Sequence, residues 1–306
     1  MDLDAFQRSV LPAGLNLLAV AAVSDWDAVA LPSRRSSALQ PGARSILVVA
    51  NGGGALWTAL LAELAARPTS LTEEPHPLDA FVRRTIATAD HALGAGPRRW
   101  FWASAEADLH IDFRLLAGLA GLGAQSRLGL LLHPAYGPWI GLRAACFLEA
   151  AADDTATFGA YARRPGAPAA EDPSALAAPC LACPAPCTRA CPGDAFPEGR
   201  WNVDRCVDFH RESPRCASTC EARLACPEGA AHRYSATQLR YHSNRLEGRR
   251  ELRALLGPDA PRDRFEGDGP HWGSWRDKVD ARGVDRDRPQ GRNAPSPMVD
   301  EGDLAE

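Results

Sequence analysis

Between residues 17 and 148 the chain alternates short, unbroken apolar runs with segments whose apolar positions recur every three or four residues. The runs at 17–23 and 45–51 read as buried strands, whereas 55–66 and 78–93 carry helical spacing. In the second of these helices Leu78, Phe81, Val82, Ile86, Ala89 and Leu93 share one face, with Arg83, Arg84 and Asp90 off it, which is core packing and not a site. Further strands are expected at 99–104, 128–132 and 140–148, the last preceded by the turn-forming Tyr136-Gly137-Pro138, and a short helix at 113–119. These elements predict an α+β fold, with a layered α/β domain over residues 1–162.

The pattern then changes. Residues 163–179 are rich in proline and alanine and lack large apolar anchors, so they read as a linker. A compact module over 180–230 has weak hydrophobic periodicity, and metal is expected to organise it. Residues 231–256 read as a basic helix, with Arg233, Arg240, Arg245, Arg249, Arg250 and Arg253 set against Glu247 and Glu251. Such a face either touches phosphate or is simply solvated. From 257 to 306 the chain turns to Gly, Pro, Asp and Arg, which predicts a mostly disordered tail.

Composition narrows the class. The chain has 306 residues, a formal net charge of -4, 45% hydrophobic and 24% charged residues, so it is an ordinary globular protein. A chain of this length builds a core without covalent staples, and the nine cysteines need another explanation. Lys278 is the only lysine and acids outnumber bases, so no general attraction to nucleic acid is indicated. Asp2 and Asp4 stand where an export leader carries positive charge, and no apolar run is long enough to span a bilayer. A cytoplasmic location is expected, with no membrane partner and with thiols kept reduced for metal.

Eight of the nine cysteines fall between residues 180 and 226. The first run is Cys180-Leu-Ala-Cys183-Pro-Ala-Pro-Cys187-Thr-Arg-Ala-Cys191-Pro192; the second is Cys206, Cys216-Ala-Ser-Thr-Cys220 and Cys226-Pro227. Each set of four ends in Cys-Pro, and the plan resembles bacterial two-cluster ferredoxins, in which the fourth cysteine of each run ligates the other cluster. That resemblance implies one [4Fe-4S] cluster on Cys180, Cys183, Cys187 and Cys226 and a second on Cys191, Cys206, Cys216 and Cys220. The spacings depart from the ferredoxin pattern, with three residues between Cys183 and Cys187, nine between Cys206 and Cys216, and five between Cys220 and Cys226. Zinc also accepts four thiolates, and paired disulfides would need an oxidising compartment. Cys146 lies in an apolar run and reads as a buried core thiol.

Ahead of the clusters runs Ala120-Gly-Leu-Gly-Ala-Gln-Ser-Arg-Leu-Gly-Leu-Leu-Leu-His-Pro-Ala-Tyr-Gly-Pro-Trp-Ile-Gly-Leu-Arg-Ala-Ala, and Gly42-Ala-Arg-Ser-Ile-Leu-Val-Val-Ala lies earlier. With the cysteines behind them, these segments resemble the epoxyqueuosine reductase family over roughly residues 1–230, and reductive dehalogenases more distantly. The resemblance implies a corrinoid (cobalamin) held over a nitroreductase-like α/β domain and reduced through two [4Fe-4S] clusters in a ferredoxin-like module. Gly121, Gly123, Tyr136 and Gly137 are then candidates for cofactor contact, since glycine lets a backbone approach a flat macrocycle, although the same residues serve simple turns.

Reducing an epoxide or carbon–oxygen bond needs a general acid. Asp112 is the nearest candidate, closer to the Ala-Gly-Leu-Gly turn than the family pattern places its aspartate, and it equally suits the cap of the 113–119 helix. His110 is either a contact or a solvent-facing strand residue. Gly52-Gly53-Gly54 is either a phosphate cradle or a tight strand-to-helix connection. The helical repeats that hold transfer RNA in full-length epoxyqueuosine reductases are not recognisable after the clusters, which weakens transfer RNA as substrate against a small molecule. The expectation is an iron–sulfur oxidoreductase, a cobalamin-dependent reductase supplied by an electron-donor protein. The alternative is a non-catalytic ferredoxin-type electron carrier or a corrinoid-handling protein.

Overall fold

A computed structural model describes residues 1–103, 111–151, 176–258 and 260–261. His110, most of the linker expected at 163–179 and nearly all of the tail expected at 257–306 lie outside the described residues.

Strands β1 (Leu17–Ala22), β2 (Ser45–Gly52), β3 (Arg98–Trp102) and β6 (Ile140–Leu148) form an antiparallel sheet in the order β1-β2-β6-β3. Every residue of β2 is buried, because this strand is covered on both faces. Alternation divides its side chains. Leu47 and Val49 pack with the helices Leu3–Val10, Ala55–Ala66 and Pro77–Ala89, while Ile46, Val48 and Ala50 pack with Trp26 and the helix Phe113–Leu119. The result is a mixed α/β arrangement with helices on both sides of a small antiparallel sheet. The helix expected at 78–93 is α-helical over Pro77–Ala89 and tightens to a 3-10 turn over Asp90–Leu93.

Two expectations shift. The strand predicted at 128–132 shrinks to β5 (Leu131–Leu132), paired with β4 (Ala124–Gln125). Gly129, at φ +71, turns the chain there, and the Ser126 amide and hydroxyl both donate to the Leu130 carbonyl. The single basic helix expected over 231–256 is instead two helices, Ala236–Ser243 and Arg245–Leu256. They part at Asn244, which leaves the helical region and caps the second helix by accepting from the Glu247 amide at 3.2 Å. Arg249 on this helix is buried, with Nη1 donating to the carbonyls of Glu74 (2.8 Å) and Pro75 (3.0 Å) and Nη2 to that of Leu71. It fastens the C-terminal helices to the α/β layers.

The cysteine segment has its own small core of Leu128, Leu132, Ala177, Cys187, Ala195, Phe196, Ala222 and Cys226. Leu128 and Leu132 come from the preceding domain, so the module is not an isolated bead. Gly137 (φ +56) and Gly229 (φ +63) cross backbone against backbone, and a Cβ on either would collide with the other segment's main chain. Only glycine permits that approach.

Candidate functional site

All nine cysteines are free thiols. Short helices carry half of the eight in the module: Ala178–Ala182 holds Cys180, Pro186–Ala190 holds Cys187, Val203–Glu212 holds Cys206 and Pro214–Ser218 holds Cys216. Proline at the first turn starts three of them without sacrificing a needed amide. Asn202 caps the Cys206 helix through the Arg205 amide, and Ser213 caps the next helix through the amide of Cys216 itself.

Cys191, Cys206, Cys216 and Cys220 line one cavity of about 150 Å³, together with Leu128, Leu130, Phe196, Trp201, Thr219 and Arg223. Burial raises the Cys216 thiol to about 12, with Cys206, Cys220 and Cys191 adding to the rise. Burial also raises Cys206, opposed by a hydrogen bond from Trp201 and reinforced by Cys220 and Cys191. Cys220 is raised by burial, against bonds from the amides of Arg223 and Ala222 and the nearby Arg223 charge. The other thiols influence one another in the same way. Cys187 is raised by burial and then by Cys180 and Cys183, and Cys226 by burial and then by Cys187 and Cys180. Among the described residues no three His, Cys, Asp or Glu side chains are gathered closely enough to hold a single metal ion. Crowded, desolvated thiols stay protonated unless positive charge sits among them, and bound metal supplies that charge. Cys191, Cys206, Cys216 and Cys220 are thus donors of the chemical type that a bound metal would hold as thiolates.

The other expected site residues lie on the α/β side. Asp112 caps the helix Phe113–Leu119, its Oδ1 accepting from the amides of Arg114 (3.1 Å) and Leu115 (3.0 Å). Around Gly121 (φ +79) the space where a Cβ would stand is open for 4 Å, whereas at Gly123 that position is filled by the Leu132 carbonyl. The Tyr136 hydroxyl accepts from Asn16 Nδ2 at 3.3 Å, and its ring lies on Gly52, 4.5 Å from the His232 ring centroid and 5.1 Å from that of His133. His133 Nδ1 accepts from the amides of Ala135 (3.0 Å) and Tyr136 (3.2 Å), which puts its ring proton on Nε2. Burial, then His232, lowers its pKa. Gly52-Gly53-Gly54 is a tight connection from β2 into the helix Ala55–Ala66, whose first turn is covered by the close approach of Gly14. Cys146 is fully buried, and burial pushes its pKa far up, as suits a core thiol.

Sequence reasoning did not single out Trp139, Arg223, Tyr234 or His242, which meet where the cysteine module joins the sheet, nor Arg143, whose charge acts on His242. The Arg223 guanidinium stacks 4.7 Å from the ring centroids of both Trp139 and Tyr234, and His242 lies 5.6 Å from Tyr234. Only the position of Arg223, between Cys220 and Cys226, hinted at a role.

No protein-family model and no curated protein matches the chain. Several solved structures are similar to it in part. An epoxyqueuosine reductase is 13% identical, with 78% of this chain and 68% of that one covered, at a TM-score of 0.47. The B12-trafficking protein CblC of C. elegans is 12% identical, covering 85% of this chain and 98% of that one, with a TM-score of 0.48. A catabolic reductive dehalogenase in complex with 3-bromo-4-hydroxybenzoic acid is 14% identical, covering 80% and 32%, at 0.42. No helix among the described residues is long and apolar enough to cross a membrane.

Proposed function

We propose that the chain is an iron–sulfur oxidoreductase that holds two [4Fe-4S] clusters in a ferredoxin-like module and passes electrons to a corrinoid on a nitroreductase-like α/β domain. The observation that carries this reading is the company Cys191 keeps. It belongs to the first cysteine run, yet it lines a cavity with Cys206, Cys216 and Cys220 of the second. Cys226 conversely acts on and with the first run. This is the exchange a crossed two-cluster plan requires. A cavity of about 150 Å³ ringed by four thiols suits a multi-atom cluster better than one zinc ion, whose thiolates would close to about 4 Å of each other.

Bound clusters supply one-electron transfer, and a bound corrinoid supplies low-valent cobalt. The chain's residues set the conditions. Phe196, Trp201, Leu128 and Leu130 give the second set an apolar wall, and the bonds to Cys206 and Cys220 favour the thiolate form and a higher potential. Gly121, with open space around it, is the cofactor candidate with the freest approach. Gly123, Tyr136 and Gly137 shape the surrounding turns, and the substrate class stays open between a small molecule and transfer RNA.

A non-catalytic carrier or corrinoid-handling role is the second reading. It is favoured by Asp112, whose Oδ1 is engaged by two helix amides.

Anaerobically purified protein should be brown and contain about eight irons and eight labile sulfides per chain. Cys216→Ser should lose about half of both. Colourless protein carrying zinc without iron would end both redox readings. Adding cobalamin to reduced protein should shift its spectrum to the base-off form; an unchanged spectrum would leave electron transfer alone.

A further inference from the structure

The seam between the module and the sheet contains hydrogen-bond donors with no acceptor. Trp139 is 0% exposed and Tyr234 5% exposed, and the Trp139 Nε1, the Tyr234 hydroxyl and the Arg223 Nε are all buried without a partner. They sit on groups that touch: the two rings are 5.5 Å apart at their centroids, and the Arg223 guanidinium lies over both. A buried donor left unpaired is costly, so three on groups that touch mark a place where an acceptor would be stabilised.

The charge balance there has the same sign. Arg223 Nη2 donates to the Pro138 carbonyl at 2.6 Å and Arg143 Nε to Asn51 Oδ1 at 2.7 Å, both neutral acceptors. The neighbouring Glu221 is held by Arg215. His242 feels both guanidiniums; burial first, then Arg143 and Arg223, keeps its imidazole neutral. Among the described residues no carboxylate offsets these two arginines.

We infer that this seam binds a compact oxyanion, a phosphate or carboxylate group of a small molecule, gripped by Arg223 and Arg143 and by the indole N–H of Trp139 and the hydroxyl of Tyr234. Arginine provides the planar fork that such groups accept, and the stacked rings hold that fork in place. The site goes beyond the redox reading and does not depend on which metal the cysteines bind. Because Arg223 also borders the second cysteine cavity, an anion here would sit one side chain away from that centre.

The test is calorimetric titration of the anaerobically prepared full chain with inorganic phosphate and, separately, acetate. One saturable site for either anion is expected, and the stronger of the two identifies the class of ligand. Tyr234→Phe should weaken binding about tenfold and Arg223→Gln about a hundredfold. Arg143→Gln, which lies outside the cysteine module, should weaken it about tenfold, with an unchanged melting curve confirming the fold. Bound anion should also raise the His242 pKa in an NMR titration. No saturable binding of either anion, or binding that all three variants retain, would overturn the site.

Discussion

Arg249 shows how much one side chain can hold. It is buried and donates to three carbonyls of the segment Leu71–Pro75, so Arg249→Ala would remove all three bonds, the one to Leu71 in a buried position. A loss of about 3 kcal/mol is expected, read as a lower midpoint in a denaturant titration. His242 makes a prediction of opposite chemistry. Burial and the flanking Arg143 and Arg223, with Tyr234 and Tyr241 as its other ring neighbours, lower its pKa to about 3. An unfolded histidine takes up its proton near pH 6.5, so between there and about 3 the unfolded chain binds more protons than the folded one. Stability is therefore retained above about pH 6.5 and falls as the pH drops below it. His242→Gln should flatten that part of a pH–stability profile measured by thermal melts.

At the level of elements, Asp112 separates two roles that share one residue. As a cap it is worth about 1 kcal/mol, which Asp112→Ala should forfeit and Asp112→Asn should largely keep. As a proton donor it is lost in both. Turnover surviving in Asp112→Asn, with melting near wild type, would leave the residue only its cap. Elements of this kind were readable where one local rule dominated. β2 was evident as an apolar run, β6 as a strand following the Tyr136-Gly137-Pro138 turn, and the Pro77–Ala89 helix from its single apolar face. The break at Asn244 was not, because a basic surface pattern runs through it and the turn depends on how the helix Ala236–Ser243 packs. β5 shortened for a similar reason: Gly129 turns the chain, and the Trp201 ring lies where its side chain would be.

The whole molecule is joined at the crossing of Gly137 and Gly229, where the cysteine module meets the sheet domain. Gly137→Ala would push a Cβ into the backbone at Glu228 and also strain a left-handed position. A destabilisation of about 2 kcal/mol or more is expected, together with faster proteolytic cleavage of the cysteine module. Thiol count, spacing and the Cys-Pro endings were set by the order of residues alone, as was the alternation that divides β2 between two cores. Local chemistry is enough for those, since periodicity and ligand type are properties of neighbours in the chain. Which cysteines face one another, and the meeting of Arg223, Trp139, Tyr234 and His242 with the Arg143 charge acting on His242, were decided only by the folded chain. Those contacts join residues up to about a hundred positions apart, and no rule confined to neighbours can specify them.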